Sequence, residues 1–221
     1  MPNLRQNIAD KSPEVFAAIL ASKCAPGVVE SFCTSAQTLE KTEKLVDFLE
    51  AEGKGAWQPE PHLEYLCEKL EQVAAGNIQR LIVTMPPRHG KSMVCSKKFP
   101  PWYLRKYPDN YIMITSYSAD LAFDFSRVAR NTISDGREFF PNIAINQTAR
   151  AVKHWMIDGK LGGLIAAGVG GPITGRGAHV AIIDDPFKIM KKRHQKQSGN
   201  QFGNGTGQHC AQDWHLWAQL S

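Results

Sequence analysis

The chain has 221 residues, of which 43% are hydrophobic and 21% charged, a balance typical of a soluble domain with a full core. Every apolar stretch is shorter than the roughly 18 residues of a membrane span, and the start of the chain lacks the features of a secretory signal. The five cysteines show no C-x-x-C spacing, which favours reduced thiols over disulfides or a metal site. We therefore expect a cytoplasmic protein without a membrane segment.

The net charge of +5 does not by itself indicate a nucleic-acid-binding surface. Residues 189–221 contain four basic side chains and one acid, so residues 1–188 carry a net charge of only +2. The body of the protein is nearly neutral, and charge alone does not identify its partner.

Three helices are predicted in the first third of the chain. Ser12-Pro13 opens the first with a capping hydroxyl and a proline in the first turn. Leucine spacing predicts the second over about 38–52 and the third over about 61–75, each followed by glycine. Residues 53–59 read as a loop. We therefore divide the chain here into a helical N-terminal segment, 1–56, and a main domain, 57–188.

Strands and helices alternate in the main domain. Short apolar runs predict strands over 80–85, 111–115 and 179–185, and residues 153–168 predict two more around an Asp-Gly-Lys turn. Helices are predicted over 90–99, where Pro100-Pro101 would end the helix, and over 118–133. This order predicts an α/β fold with a mainly parallel sheet.

A candidate phosphate-binding loop follows the first strand of the main domain. Gly90-Lys91-Ser92 matches the end of the pattern G-x-x-x-x-G-K-[ST], but Met85 occupies the position of its first glycine. Unpaired N–H groups at the start of a helix favour a phosphate, so the position between strand and helix supports the assignment. Lys91 would contact the β- and γ-phosphates of ATP, and Ser92 would hold Mg²⁺. The alternative is a chance Gly-Lys-Ser on a surface loop.

Two adjacent carboxylates end the strand "HVAIIDD". A nucleotidase needs acids beside its phosphate loop, and here Asp184 would reach Mg²⁺ while Asp185 would orient the attacking water. The alternative is a helix-capping turn, which the following Pro186 makes reasonable. The strand position and the α/β pattern favour the functional interpretation.

The segments "PHLEYLCEKLEQVAAGNIQRLIVTMPPRHGKS" and "GGPITGRGAHVAIIDDPFK" together resemble the large terminase subunit of tailed bacteriophages and prophages. The resemblance covers about residues 57–188 and implies a P-loop ATPase domain. Loops without the first glycine are normal in that family. The implied activity is ATP-driven packaging of double-stranded viral DNA, in the host cytoplasm, through the portal of a procapsid. A small terminase subunit and a ring of identical subunits are the other implied partners.

The resemblance also implies roles for individual residues. Arg88 would sense or stabilise the γ-phosphate, and Arg176 would act as an arginine finger on the ATP of a neighbouring subunit. A plain loop arginine is the alternative for Arg176. The residues where the family places its adenine contacts are Trp57, Gln58 and His62, although Trp57 equally suits the core. The predicted nucleotide-binding loop runs from Pro87 to Ser92 and includes His89 as a spacer. Many members of that family have glutamate at the position of Asp185. The shorter aspartate puts the rate of ATP hydrolysis in doubt rather than the role of this residue.

Residues 189–221 do not continue this family pattern. The segment has six Gln, no Glu and little periodicity, so we expect a disordered tail. Back-translation with ordinary codons and a one-base shift can give a sequence that resembles the acidic helix of the family at this position, and our hypothesis is a frameshift near codon 189. The chain would then stop before the coupling motif and the nuclease domain, with nuclease activity absent and ATPase activity in question.

An incomplete sheet is a further expectation. In the P-loop class that terminases resemble, a later strand inserts between the loop strand and the Asp-Asp strand. Phe202 and Leu216 stand isolated in the tail, so we expect this position to stay empty and the product to be poorly soluble and without significant ATPase activity. The alternatives to a terminase motor are a helicase-like P-loop ATPase and a non-enzymatic prophage remnant that at most binds ATP.

Overall fold

The computed structural model describes residues 37–171, 177–187 and 215–220. The helix predicted from Ser12 and most of the predicted tail lie outside these residues. Among the described helices, none is long and apolar enough to cross a membrane.

One seven-stranded sheet, in the order β1-β7-β6-β2-β5-β4-β3, organises the fold. The strands are β1 Arg80–Thr84, β2 Tyr111–Ser116, β3 Ile145–Ala151, β4 His154–Ile157, β5 Gly163–Gly168, β6 Val180–Asp184 and β7 His215–Leu220. The α/β class is confirmed, and the strands predicted around 80–85, 111–115, 153–168 and 179–185 are present. Strand β3 was not predicted because its sequence, INQTARA, is polar and lies at the sheet edge, where no apolar alternation is needed.

The prediction of a mainly parallel sheet is wrong, because the sheet is mixed. Strand β2 pairs in parallel with both β5 and β6, whereas the other four neighbouring pairs are antiparallel. A tight turn at Gly159, which has a φ of 65°, reverses the chain between β4 and β5 and makes that pair antiparallel. The parallel pairs nevertheless bring the ends of β2, β5 and β6 to one edge of the sheet.

Strand β7 fills the gap that was expected between the loop strand, β1, and the Asp-Asp strand, β6. It pairs antiparallel with β1 on one side and β6 on the other, so residues 215–220 occupy the position between these strands that was expected to stay empty. The six residues HLWAQL are enough to form a strand here, because each neighbouring strand offers a row of backbone donors and acceptors. Leu216 therefore belongs to a strand, contrary to its expected isolation.

In the described part of the chain, four α-helices longer than a single turn and one π-helix accompany the sheet. They are α1 Leu45–Gly53, α2 Pro61–Ala74, the π-helix Met93–Lys98, α3 Phe99–Lys106 and α4 Ala119–Asp135. The helix predicted over 38–52 is interrupted near 42–44, and a separate helical turn covers 37–41. Ser118 caps the start of α4, and its hydroxyl accepts a hydrogen bond from Leu121 N.

The sequence predicted that two prolines would end the helix that follows the loop, and this prediction is wrong. Pro100 and Pro101 lie in the first turn of α3, which continues directly from the π-helix to Lys106. Proline is tolerated in the first turn of an α-helix, and the change from π-helix to α-helix places both prolines there. The π-helix and α3 thus form one long buried segment, with Phe99 and Trp102 at 0% and 1% exposure.

Candidate phosphate-binding site

The segment between β1 and the π-helix forms a loop with two left-handed residues. Arg88 has a φ of 66° and Gly90 a φ of 88°. A Cβ atom on Gly90 would lie 3.0 Å from Leu63 Cδ2, so both the backbone angle and the packing against α2 favour glycine. The helical residues begin at Lys91, and the first N–H groups of a helix lack intrahelical partners. The backbone donors expected for a phosphate therefore lie at the start of this helix, and their use by a phosphate stays a prediction.

The Asp-Asp pair lies at the end of β6, beside the end of β2. Asp184 is fully buried and aligns with Ser116 in the parallel register. Asp185 leaves the strand with a φ of 49°, and its carbonyl oxygen accepts a hydrogen bond from Tyr117 N at 3.0 Å. The turn after β2 therefore fixes the backbone that carries the second carboxylate.

Lys91 joins the loop to both carboxylates. Its Nζ atom lies 3.0 Å from Asp184 Oδ1 and 3.0 Å from Asp185 Oδ1, and it donates a hydrogen bond to the latter. Burial lowers the pKa of Lys91, but the two carboxylates outweigh this effect and the net pKa is raised. The ammonium group is therefore charged at neutral pH.

Asp185 ionises less readily than an ordinary aspartate. Burial raises its pKa, the hydrogen bond from Lys91 lowers it, and the negative charge of Asp184 raises it further, so the net shift is upward. A raised pKa suits a group that accepts a proton during a reaction.

Ser96 is a polar contact of the site that the sequence did not single out. Its Oγ atom donates a 2.8 Å hydrogen bond to Asp184 Oδ2, and both residues have 0% exposure. Ser96 follows Ser92 by four positions, which places the two serines on similar faces of a helix. This four-residue spacing is the sequence feature that could have indicated Ser96 as a site residue, but it is a weak signal because serine is common.

A cavity of about 460 Å³ lies over the loop. Its lining consists of loop residues, the first helical residues and the second carboxylate: Met85, Pro86, Pro87, Arg88, Gly90, Lys91, Ser92, Met93 and Asp185. Of the predicted nucleotide-binding loop, only His89 is missing from this lining. The His89 ring lies against Pro87 O, with Nδ1 at 2.9 Å, so the ring turns onto the loop backbone.

The residues predicted as adenine contacts do not line this cavity. Trp57 is half-buried and packs against the hydrophobic core, and Gln58 is exposed. His62 lies next to the loop, with Nε2 3.3 Å from His89 O. Arg176 falls outside the described residues.

The site fits a nucleotide with a divalent cation. Within the described ranges, no group of three or more His, Cys, Asp or Glu side chains could hold a metal alone. Mg²⁺ commonly uses one or two carboxylates together with substrate phosphates, which matches this donor set. Asp184 Oδ1 is buried, and in the described part of the chain its polar contact is the 3.0 Å ion pair with Lys91.

A family model for the N-terminal part of the large terminase subunit, T4-like virus type, matches residues 82–202. The match covers more than half of the chain. This protein belongs to that terminase family. The matched region contains the loop and both carboxylates, and it extends past Lys188, where the resemblance was expected to end. Searches of curated proteins and of solved structures returned no match.

Membership in this family supports a role for the chain as a component of a viral DNA-packaging motor. Terminase large subunits are generally ATPases, so membership also supports the broader assignment of the chain as an enzyme.

Proposed function

We propose that this chain is the ATPase portion of a terminase motor that couples ATP hydrolysis to the movement of double-stranded DNA into a procapsid. The observation that carries the proposal is the position of Lys91 Nζ, 3.0 Å from both Asp184 and Asp185 at the edge of the loop cavity. A cation for phosphates and two carboxylates for a metal and a water thus meet in one place.

Each residue has a distinct role in this proposal. Lys91 and the N–H groups at the start of the helix bind the phosphates, and Ser92 together with Asp184 holds Mg²⁺. The bound cation supplies neutralisation of the charge on the phosphates. Asp185 orients the attacking water and accepts its proton, for which its raised pKa is suited.

Two arginines complete the proposed machinery. Arg88 is exposed on the wall of the cavity, where its guanidinium is available to the γ-phosphate. Arg176 is proposed to act on the nucleotide of a neighbouring subunit in a ring, so that hydrolysis depends on assembly. The portal of the procapsid and a small terminase subunit are the proposed partners, in the cytoplasm of the host.

Steady-state ATPase measurements test this function. The purified chain is assayed alone, with double-stranded DNA, and with portal-bearing procapsids. Stimulation that requires procapsids supports a packaging ATPase, whereas full stimulation by DNA alone supports a helicase-like translocase. ATP binding that does not depend on magnesium, with no ATP hydrolysis in any of the three conditions, would contradict the proposed function.

A further inference from the structure

We propose that Ser96 is a positioning residue that sets the orientation of the Asp184 carboxylate toward the cation. The inference rests on the proposed function, because it assigns Asp184 to the metal. It adds a residue outside both the Gly-Lys-Ser and the Asp-Asp motifs, located in the π-helix.

The two oxygens of Asp184 have different surroundings. Oδ2 accepts the hydrogen bond from Ser96 Oγ, whereas Oδ1 lies 3.0 Å from Lys91 Nζ in an ion pair. A carboxylate rotates readily about its last bond. The Ser96 hydrogen bond selects one of these orientations, with Oδ2 against the helix and Oδ1 on the side of the lysine and the cavity.

Ser96 lies in a helical segment that is buried on most of its sides. Val94, Cys95 and Ser96 have exposures of 0%, 1% and 0%, and residues 98–104 are also buried. Ser96 is thereby held against the end of β6, where its hydroxyl contacts Asp184. Short π-helical segments such as Met93–Lys98 are frequent at functional sites.

A partner that orients a metal ligand acts on metal affinity. Hydrogen bonds to ligating groups fix their direction, and loss of such a partner commonly lowers affinity about 10- to 100-fold. Ser116 is a matched comparison. It aligns with Asp184 in the sheet and is also fully buried, but its hydroxyl has no hydrogen-bond partner in the described residues.

The test uses the full chain with Mn²⁺ and the non-hydrolysable analogue AMP-PNP, and free Mn²⁺ is measured by electron paramagnetic resonance. Ser96→Ala is compared with wild type and with Ser116→Ala, and melting curves confirm folding. AMP-PNP binding is also measured in EDTA, which removes the divalent cation. A variant that damages the phosphate-binding loop itself would lose AMP-PNP affinity in this measurement as well. Ser96→Cys, with a weaker donor of similar size, serves if Ser96→Ala does not fold.

We expect Ser96→Ala to require about 10- to 100-fold more Mn²⁺ for half-saturation, with wild-type AMP-PNP affinity in EDTA. Ser116→Ala should match the wild type in both measurements, and Ser96→Cys should weaken Mn²⁺ binding in the same direction. Unchanged Mn²⁺ binding by Ser96→Ala, or equal losses in both alanine variants, would overturn the role of Ser96 alone. A wild type that shows no Mn²⁺-dependent nucleotide binding would remove the proposed function and this inference together.

Discussion

Lys91 donates a hydrogen bond to Asp185, which follows it by 94 positions in the chain. The contact exists because β1 and β6 run in the same direction on either side of β7, so the loop after β1 and the residues after β6 meet at one edge. In the structure, the ammonium proposed for the phosphates forms ion pairs with the carboxylates proposed for the metal and the water. A nucleotide with its cation would provide Lys91 and Asp184 with replacement partners of opposite charge.

Asp185→Asn separates the chemical role of this residue from its structural role. The amide cannot accept the proton of the attacking water, so ATP turnover should fall about 10²- to 10⁴-fold. Asparagine tolerates the left-handed backbone at this position, and its oxygen can still accept a hydrogen bond from Lys91. Nucleotide affinity should therefore stay near the wild-type value. A variant that retains wild-type turnover in the ATPase assay would remove Asp185 from the mechanism.

The same variant should alter the pH dependence of stability. A carboxyl whose pKa is raised in the folded state contributes stability that is present below its unfolded value, near 3.9, and is lost as the pH rises through the folded value. Asp185→Asn should therefore be more stable than wild type at neutral pH, and the difference should disappear below about pH 3.9. Urea unfolding at several pH values measures this difference, and the opposite trend would contradict the raised pKa.

Gly90→Ala tests the fit of the loop against α2. Alanine at a positive φ costs about 1–2 kcal/mol, and here it would also press on Leu63, which should lower nucleotide affinity about tenfold or more. Gly159→Ala is the control, because its φ is 65° and nothing lies within 4 Å of an added Cβ. It should lose similar stability but keep nucleotide affinity. Equal effects of both variants on calorimetric binding would show that the Gly90 loop is not part of the site.

Ala218→Pro tests whether β7 completes the sheet. Ala218 pairs with Leu81 of β1 and with Ile182 of β6, and proline removes the backbone donor from a central strand. We expect the free energy of unfolding to fall by about 1–3 kcal/mol, because a ladder acceptor is left without its partner. The same change at Ala211, outside β7, is the comparison. Identical denaturation curves for wild type and Ala218→Pro would restore the expectation of a disordered tail.

The buried thiols should be unreactive in the native protein. Burial is the main cause that raises the pKa of Cys67 to about 12, and burial also raises the pKa of Cys95 well above its usual value. Since the thiolate is the reactive form, iodoacetamide at pH 8 should leave both unmodified until denaturant is added. Peptide mass spectrometry reads each site separately. Rapid native labelling of Cys95 would show that the helix after the loop is not packed on the sheet.

Much of the fold could be predicted because the main strands and helices have strong local patterns. The apolar run "RLIVTM", the Gly-Lys-Ser tripeptide and the strand ending in Asp184 are each readable from neighbouring residues. Their alternation with helices also indicated which strand ends would meet. The contact between Lys91 and the two carboxylates follows from that topology rather than from any separate signal.

The misinterpreted elements depend on information that local patterns do not contain. β3 is a polar edge strand, and β7 gains its conformation from the open backbone groups of β1 and β6. A proline pair within an apolar segment predicts the end of a helix, but Pro100 lies in the first turn of α3. The role of Ser96 could not be predicted because its partner, Asp184, is 88 residues away and no spacing rule connects a π-helix to a strand end.

Calorimetric titration of Mg²⁺·AMP-PNP into wild type and Lys91→Ala tests the central claim most directly. Lys97→Ala is the control, since Lys97 lies in the π-helix that follows but does not line the cavity. We expect Lys91→Ala to lose about 1.5–3 kcal/mol of binding free energy, the contribution of a charge-assisted contact, and Lys97→Ala to bind as wild type does. Equal affinity of wild type and Lys91→Ala for the nucleotide would contradict the assignment of this loop as the ATP site.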